Sequence, residues 1–278
     1  MAVLDETPER RIAFVNQGIF IDYRVSKEIR QEIMNLLKQP VRPRMLGLLI
    51  ISPTNNGKTT LIRQIIDSFN RRNHGSMIYV ETPERTTLKE FYAETLQALG
   101  YPARVSRSTG DLRRQIQTGL QARNVKMLFF DEIHNLLDSR RDHKLDVLNG
   151  LKSLNNRSQI PIVLIGIETA KEILGLDEQV ADRYPPIELP LWEYNEEFKS
   201  LLATFESRLP LKHASNLHEA AISRHVFTSS AGKLGRVSEI IRKSAMKAIQ
   251  GGTEKITVNL INSINFRWRE RAGQNLLF

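Results

Sequence analysis

Short apolar runs alternate along the chain with longer stretches in which apolar side chains recur at helical spacing. Residues 46–51, 77–81, 127–131, 160–165 and 186–189 read as strands, since continuous apolar runs of this length suit strands covered on both faces. Residues 58–69, 87–99 and 111–123 between them read as helices, and Thr87 with Glu90 three positions on makes a capping box. An amphipathic helix over residues 26–38, with Ile29, Ile33, Leu36 and Leu37 on one face, precedes the first strand and stops at Pro40 and Pro43. Ahead of it lies a polar arm. Strands alternating with helices predict an α/β domain, a parallel sheet between helical layers. Beyond Pro190 the strand pattern ends. Residues 192–209, 216–228 and 233–249 read as helices, with Asn216 and Glu219 repeating the cap spacing. The expected organisation is an arm and helix at 1–44, an α/β domain at 45–190, a smaller helical domain at 191–262 and a basic-aromatic tail at 263–278.

The first strand runs into Ser52-Pro-Thr54-Asn55-Asn56-Gly57-Lys58-Thr59-Thr60 and then a helix, close to the phosphate-binding pattern G-x-x-x-x-G-K-[ST]. Such a loop turns backbone N–H groups toward phosphate oxygens at a helix N-terminus, where the helix dipole also favours an anion. The pattern assigns close backbone approach to Gly57, the β- and γ-phosphates to Lys58 and a Mg²⁺ ion to the Thr59 hydroxyl. The strand at 127–131 ends in Asp131-Glu132-Ile-His134. Asp131 at its edge can hold the Mg²⁺, and Glu132 can orient and deprotonate an attacking water. A small-molecule kinase has no water to position, so the acidic pair points to a hydrolase. His134 reads as a helix-start or supporting residue.

Together with Pro161-Ile-Val-Leu-Ile-Gly166-Ile-Glu-Thr-Ala170, Ala181-Asp-Arg183-Tyr and Gly232-Lys-Leu-Gly235-Arg236-Val, these motifs resemble those of AAA+ ATPases. More narrowly they resemble the TniB/TnsC group of transposition regulators, over about residues 5–260. The resemblance implies a P-loop AAA+ domain with a five-stranded parallel sheet between helices, plus a small helical lid. It implies ATP and Mg²⁺ as cofactors, and ATP-dependent self-association into a ring or helical filament on double-stranded DNA. The implied partners are a transposase and a target-selection subunit of the same element. Arg183 resembles an arginine finger that reaches a neighbour's γ-phosphate, with a salt-bridged surface arginine as the other reading. Arg236 resembles a lid arginine that senses the γ-phosphate from within the subunit, with a solvated helix charge as the other reading. The sequence departs from the family pattern at Ser52, in place of the first loop glycine, and at Ile167, where a polar sensor is usual and Glu168 or Thr169 could substitute. ATP binding with slow hydrolysis is consistent with both.

Composition sharpens the question of partners. The chain of 278 residues carries 40 Lys and Arg against 31 Asp and Glu, a formal net charge of +9, which suggests a polyanionic partner. Over residues 101–126, Arg104, Arg107, Arg113, Arg114, Arg123 and Lys126 stand against Asp111 alone, and residues 233–247 hold five cations against Glu239. Duplex DNA phosphates fit such patches, repeated once per subunit in an assembly. The resemblance implies that the DNA-facing side lies between the second strand and the strand at 127–131, which makes Lys89, Arg104 and Arg107 the expected phosphate contacts, with a merely solvated basic face as the other reading. No zinc finger or helix-turn-helix pattern is visible, so sequence-specific readout is not expected. The absence of cysteine excludes disulfides, thiolate metal sites and cysteine nucleophiles. No apolar run approaches the roughly 18 residues of a membrane span, and the acidic start lacks a signal-peptide core, so a cytoplasmic location is expected. The alternative function is that of an AAA+ helicase loader or replication initiator, for which too little chain is expected after residue 249 to build a dedicated DNA-binding domain. A nucleotide-gated signalling scaffold would carry fused sensor or repeat domains. The tail, with Trp268 and Phe278, is expected to dock a transposition partner.

Overall fold

A computed structural model describes residues 3–73, 76–103 and 107–266. In chain order come α1 (Pro8–Asn16), α2 (Arg24–Lys38), β1 (Leu48–Ile51), α3 (Lys58–Asn73), β2 (Met77–Glu81), α4 (Leu88–Ala98), α5 (Thr109–Ala122) and β3 (Met127–Asp131). A 3₁₀ helix at Ile133–Asp138 leads to α6 (Arg141–Ser158), β4 (Ile162–Gly166), α7 (Ala170–Leu174), α8 (Glu178–Ala181) and β5 (Pro186–Glu188). Four helices follow: α9 (Glu196–Arg208), α10 (Ala220–Ser230), α11 (Leu234–Gln250) and α12 (Val258–Asn262). The chain divides into two units. One comprises Arg24–Thr54 and Lys58–Pro190; the other comprises residues up to Tyr23, Asn55–Gly57 and the chain from Leu191 on. Among the described residues no helix is long and apolar enough to cross a membrane.

In the first unit the strands form one parallel sheet in the order β2-β3-β4-β1-β5. Every residue of β1, β3 and β4 is buried, which is why their sequences are apolar without alternation. Register sets Glu81 beside Asp131 and Ile51 beside Gly166, so the carboxyl ends of four neighbouring strands share one edge. Open parallel sheets bind ligands at that edge. Phe91 of α4 stacks on Phe130 of β3 with ring centroids 4.6 Å apart, tying the helical layer to the strand that ends in the acidic pair. The capping box forms at α4, where the Thr87 N–H donates to Glu90 Oε2 at 2.8 Å.

The second unit departs from the sequence expectation in two places. The polar arm contains α1, whose Val15 joins Ile21, Phe198, Leu202 and Ile241 in one apolar core. Periodicity hides this helix because its largest inward side chain is charged. Arg11 is 1% exposed, donates from Nε to the Pro210 carbonyl at 2.9 Å and forms a fork onto the Glu254 carboxylate, with Nη1 to Oε1 at 2.9 Å. The second departure is at Asn216, which does not cap a helix. Its φ is 55°, and the N–H groups of Ser215, Asn216 and Leu217 all donate to the Glu206 carboxylate at 2.6–2.8 Å. With those donors taken, α10 begins at Ala220.

The Arg11 hydrogen bond holds the Glu254 carboxyl below the usual carboxylate range. A lowered folded-state pKa contributes stability above the unfolded value of about 4.3, and that stability is lost as pH falls through the folded value. Arg11→Met is expected to cost the helical unit about 3–5 kcal/mol by denaturant titration, because it removes the charged partner of a buried carboxylate and leaves it only the Lys212 N–H. Glu254→Gln should flatten the loss of stability below about pH 4.3 relative to wild type.

Candidate functional site

At the carboxyl end of β1 the chain enters Ser52, fully buried, whose N–H donates to the Gly166 carbonyl at 3.1 Å. The left-handed backbone falls on Asn55 (φ 61°) and Gly57 (φ 86°) and not on Ser52. The loop therefore accommodates serine at its first position, while Gly57 is needed for its φ. Thr54, Asn55 and Thr60 are exposed, whereas Asn56 is buried. Asn55 and Asn56 meet the start of α11: Gly235 N–H donates to the Asn55 carbonyl and Leu234 N–H to Asn56 Oδ1, both at 3.1 Å. A Cβ on Gly235 would lie 2.2 Å from Asn55 Oδ1, so only glycine permits that approach. Arg236 follows in the same helical turn.

The next two side chains meet the acidic pair. Lys58 is buried, with Nζ 3.0 Å from Glu132 Oε1. The Thr59 hydroxyl donates to Asp131 Oδ2 at 2.7 Å. Asp131 is fully buried and accepts two further hydrogen bonds, from Tyr79 OH to Oδ2 at 2.7 Å and from the Glu132 N–H to Oδ1 at 2.8 Å. Glu132, one residue past β3, has φ 55°, and its Oε2 lies 3.1 Å from His134 Nε2. Tyr79 carries the Arg63 guanidinium 4.1 Å over its ring. Burial, then its bond to Asp131, push the Tyr79 phenol upward, so it remains a protonated donor. Sequence reasoning missed Tyr79; its position in β2, beside the acidic strand, was the available signal.

The donor set fits a Mg²⁺–nucleotide. Mg²⁺ is ordinarily bound through one or two carboxylates together with substrate phosphates, and here a buried carboxylate and a hydroxyl lie side by side at a helix N-terminus. Nearby, the Thr82 and Thr169 hydroxyls and His134 Nδ1 are buried without a hydrogen-bond partner. Of the two stand-ins beside the half-buried Ile167, Glu168 is exposed and paired with Lys171 at 2.7 Å, while Thr169 keeps a buried, uncommitted hydroxyl.

Arg183 is not among the residues that gather at Lys58. It is 5% exposed, with Nη1 2.8 Å from Asn156 Oδ1 and 3.4 Å from Asn155 Oδ1. It is buried and bonded to two amides of α6, so in this structure it neither projects as a finger nor forms a surface salt bridge. A role in trans requires the side chain to leave Asn155 and Asn156. Lys89 is half-buried on α4, and Arg107 is exposed just ahead of α5. Arg104, Trp268 and Phe278 lie outside the described residues.

A family model described as bacterial TniB protein matches residues 11–194. No curated protein matches the sequence. Among solved structures, the ORC2 protein of Aeropyrum pernix, in its ADPNP-ADP complexes, is similar at 16% identity and a TM-score of 0.64, over 85% of this chain and 65% of that one. The ORC1 protein of the same organism in complex with DNA matches at 17% identity and a TM-score of 0.59, over 86% and 63%. Domain III of the Thermotoga maritima replication initiation protein DnaA matches at 13% identity and a TM-score of 0.58, over 87% and 91%. This chain spans less than two thirds of either ORC protein. The likeness shows a shared fold.

Removing one donor from a buried carboxylate has a measurable cost. Tyr79→Phe is expected to lower the unfolding free energy by about 1.5–3 kcal/mol. In an Asp131→Asn background the same change should cost less than about half as much. An equal loss in both backgrounds would locate the effect in ring packing.

Proposed function

The chain belongs to the bacterial TniB family, and from that premise we propose that it is an ATPase of the AAA+ type that uses ATP to assemble on double-stranded DNA as a regulator of transposition. The observation that carries the nucleotide chemistry is the paired contact of Lys58 with Glu132 and of Thr59 with Asp131. In this reading Lys58 and the loop N–H groups bind the triphosphate, and Thr59 and Asp131 hold Mg²⁺, which neutralises charge on the phosphates. Glu132 accepts the proton of a water whose oxygen bonds to the γ-phosphorus, while the bond to ADP breaks with its electron pair. Arg236 reports on the γ-phosphate from the first turn of α11.

The net charge of +9 supports a nucleic-acid partner, bound through phosphates by Lys89, Arg104 and Arg107 with little regard to base sequence. Self-association into a ring or helical filament repeats that patch and multiplies its affinity. The assembled form then presents the target to a transposase and a target-selection subunit. The family match favours this reading. The fold shared with ORC and DnaA proteins favours a second one, an initiator or helicase loader, which differs in requiring a preferred DNA sequence.

Electron microscopy and DNA binding with a non-hydrolysable ATP analogue test the proposal. Assembly on duplex DNA is expected only with nucleotide, with affinity that falls steeply with salt and varies little with sequence. Lys58→Ala should abolish assembly. Glu132→Gln should preserve it while lowering hydrolysis by about 10²-fold or more. Equal coating of DNA without nucleotide overturns the proposal, and strong preference for one sequence favours the initiator reading.

A further inference from the structure

The Glu132 main chain is anchored, its N–H on Asp131 Oδ1 and its carbonyl on the Asn135 N–H at 2.9 Å, but that leaves open where the carboxylate points. The residue lies past the last paired residue of β3 and ahead of the 3₁₀ helix, in the left-handed region, so neither ladder nor helix fixes its side chain. A general base needs its accepting oxygen within hydrogen-bond reach of the proton it takes. Something other than the main chain must aim that carboxylate.

We propose that His134 is a positioning residue for Glu132, fixing one carboxylate oxygen so that the other faces the nucleotide; the proposal rests on the ATPase reading above. The two oxygens are already divided. Oε2 lies 3.1 Å from His134 Nε2, and Oε1 lies 3.0 Å from Lys58 Nζ. The imidazole is largely covered, with its side chain 19% exposed. Nδ1 is buried and has no hydrogen-bond partner. An N–H there would have nothing to donate to, so the N–H that serves the contact is the one on Nε2, which donates to Glu132. When Lys58 engages phosphate, Oε1 is released to accept a proton while Oε2 stays tied. The main chain contributes on the opposite side, where the Glu132 N–H is anchored on Asp131 Oδ1.

The test uses the full-length protein on DNA, with steady-state ATP hydrolysis, binding of a fluorescent ATP analogue, and ¹⁵N-histidine spectra of the protein without nucleotide. His134→Ala is expected to lower kcat by about 10–100-fold, with KM and analogue affinity within about threefold of wild type. His134→Gln, whose amide can donate at the same place, should restore most of the rate. The nitrogen signals lost in His134→Gln should show a protonated Nε2 and an unprotonated Nδ1, and should shift in Glu132→Gln. A kcat for His134→Ala within about twofold of wild type overturns the positioning role, as do His134 signals indifferent to Glu132→Gln. Should the alanine variant fail to melt cooperatively, the glutamine variant and the spectra decide. A wild type that neither binds nor hydrolyses ATP overturns the ATPase reading instead, and the spectra then still report on the His134–Glu132 contact.

Discussion

A carboxylate without access to water must find its donors inside the protein, and at Asp131 that requirement organises the site. Three donors meet it, from the first turn of α3, from an adjoining strand and from the next peptide. Each comes from a segment with a different task. Thr59 brings the helix that follows the loop at 52–57, Tyr79 brings β2, and the Glu132 N–H sets the turn from which the Glu132 carboxylate projects. Leaving a buried charge unpaired costs several kcal/mol, so the three segments are bound to one another through a single side chain.

The sheet provides the frame for this arrangement. Parallel strands in the order β2-β3-β4-β1-β5 bring the end of β1, where the loop begins, two strands away from the end of β3. Thr59, one residue into α3, crosses that gap and reaches Asp131. The same geometry accounts for the tolerance of Ser52. The loop makes its sharp reversal at Asn55 and Gly57, so its first position needs no glycine. The departure from the motif is one of residue type and not of backbone shape.

Much of this was legible in the chain. Continuous apolar runs marked the buried strands because helices cover both faces, and the strand–loop–helix setting of Gly57-Lys58-Thr59 marked the loop whose next residues meet Asp131 and Glu132. The Thr87–Glu90 spacing marked a helix start because both partners are local. What escaped was governed by distant residues. The arm's helix was obscured because Arg11 occupies a core position where periodicity expects an apolar side chain, and its partner Glu254 lies 243 residues away. The Asn216–Glu219 spacing suggested a cap, but the carboxylate of Glu206 claims those N–H groups. Arg183 showed a motif and not an environment; nothing in Ala-Asp-Arg-Tyr announces that two asparagines of α6 bond to it. Tyr79 has no motif, and its significance comes only from strand pairing.

The placement of α1 also bears on how the protein is made. Its Val15 belongs to a core built almost entirely from the last third of the chain, and its Arg11 bonds to Pro210 and Glu254. During synthesis this helix emerges well before its companions, a delay on the order of tens of seconds at ordinary elongation rates. The parallel sheet has all its strands on the growing chain before that delay ends. The residues of α1 thus wait longest for their seat, and until then an apolar stripe and a bare guanidinium remain open to whatever chaperone attends the ribosome.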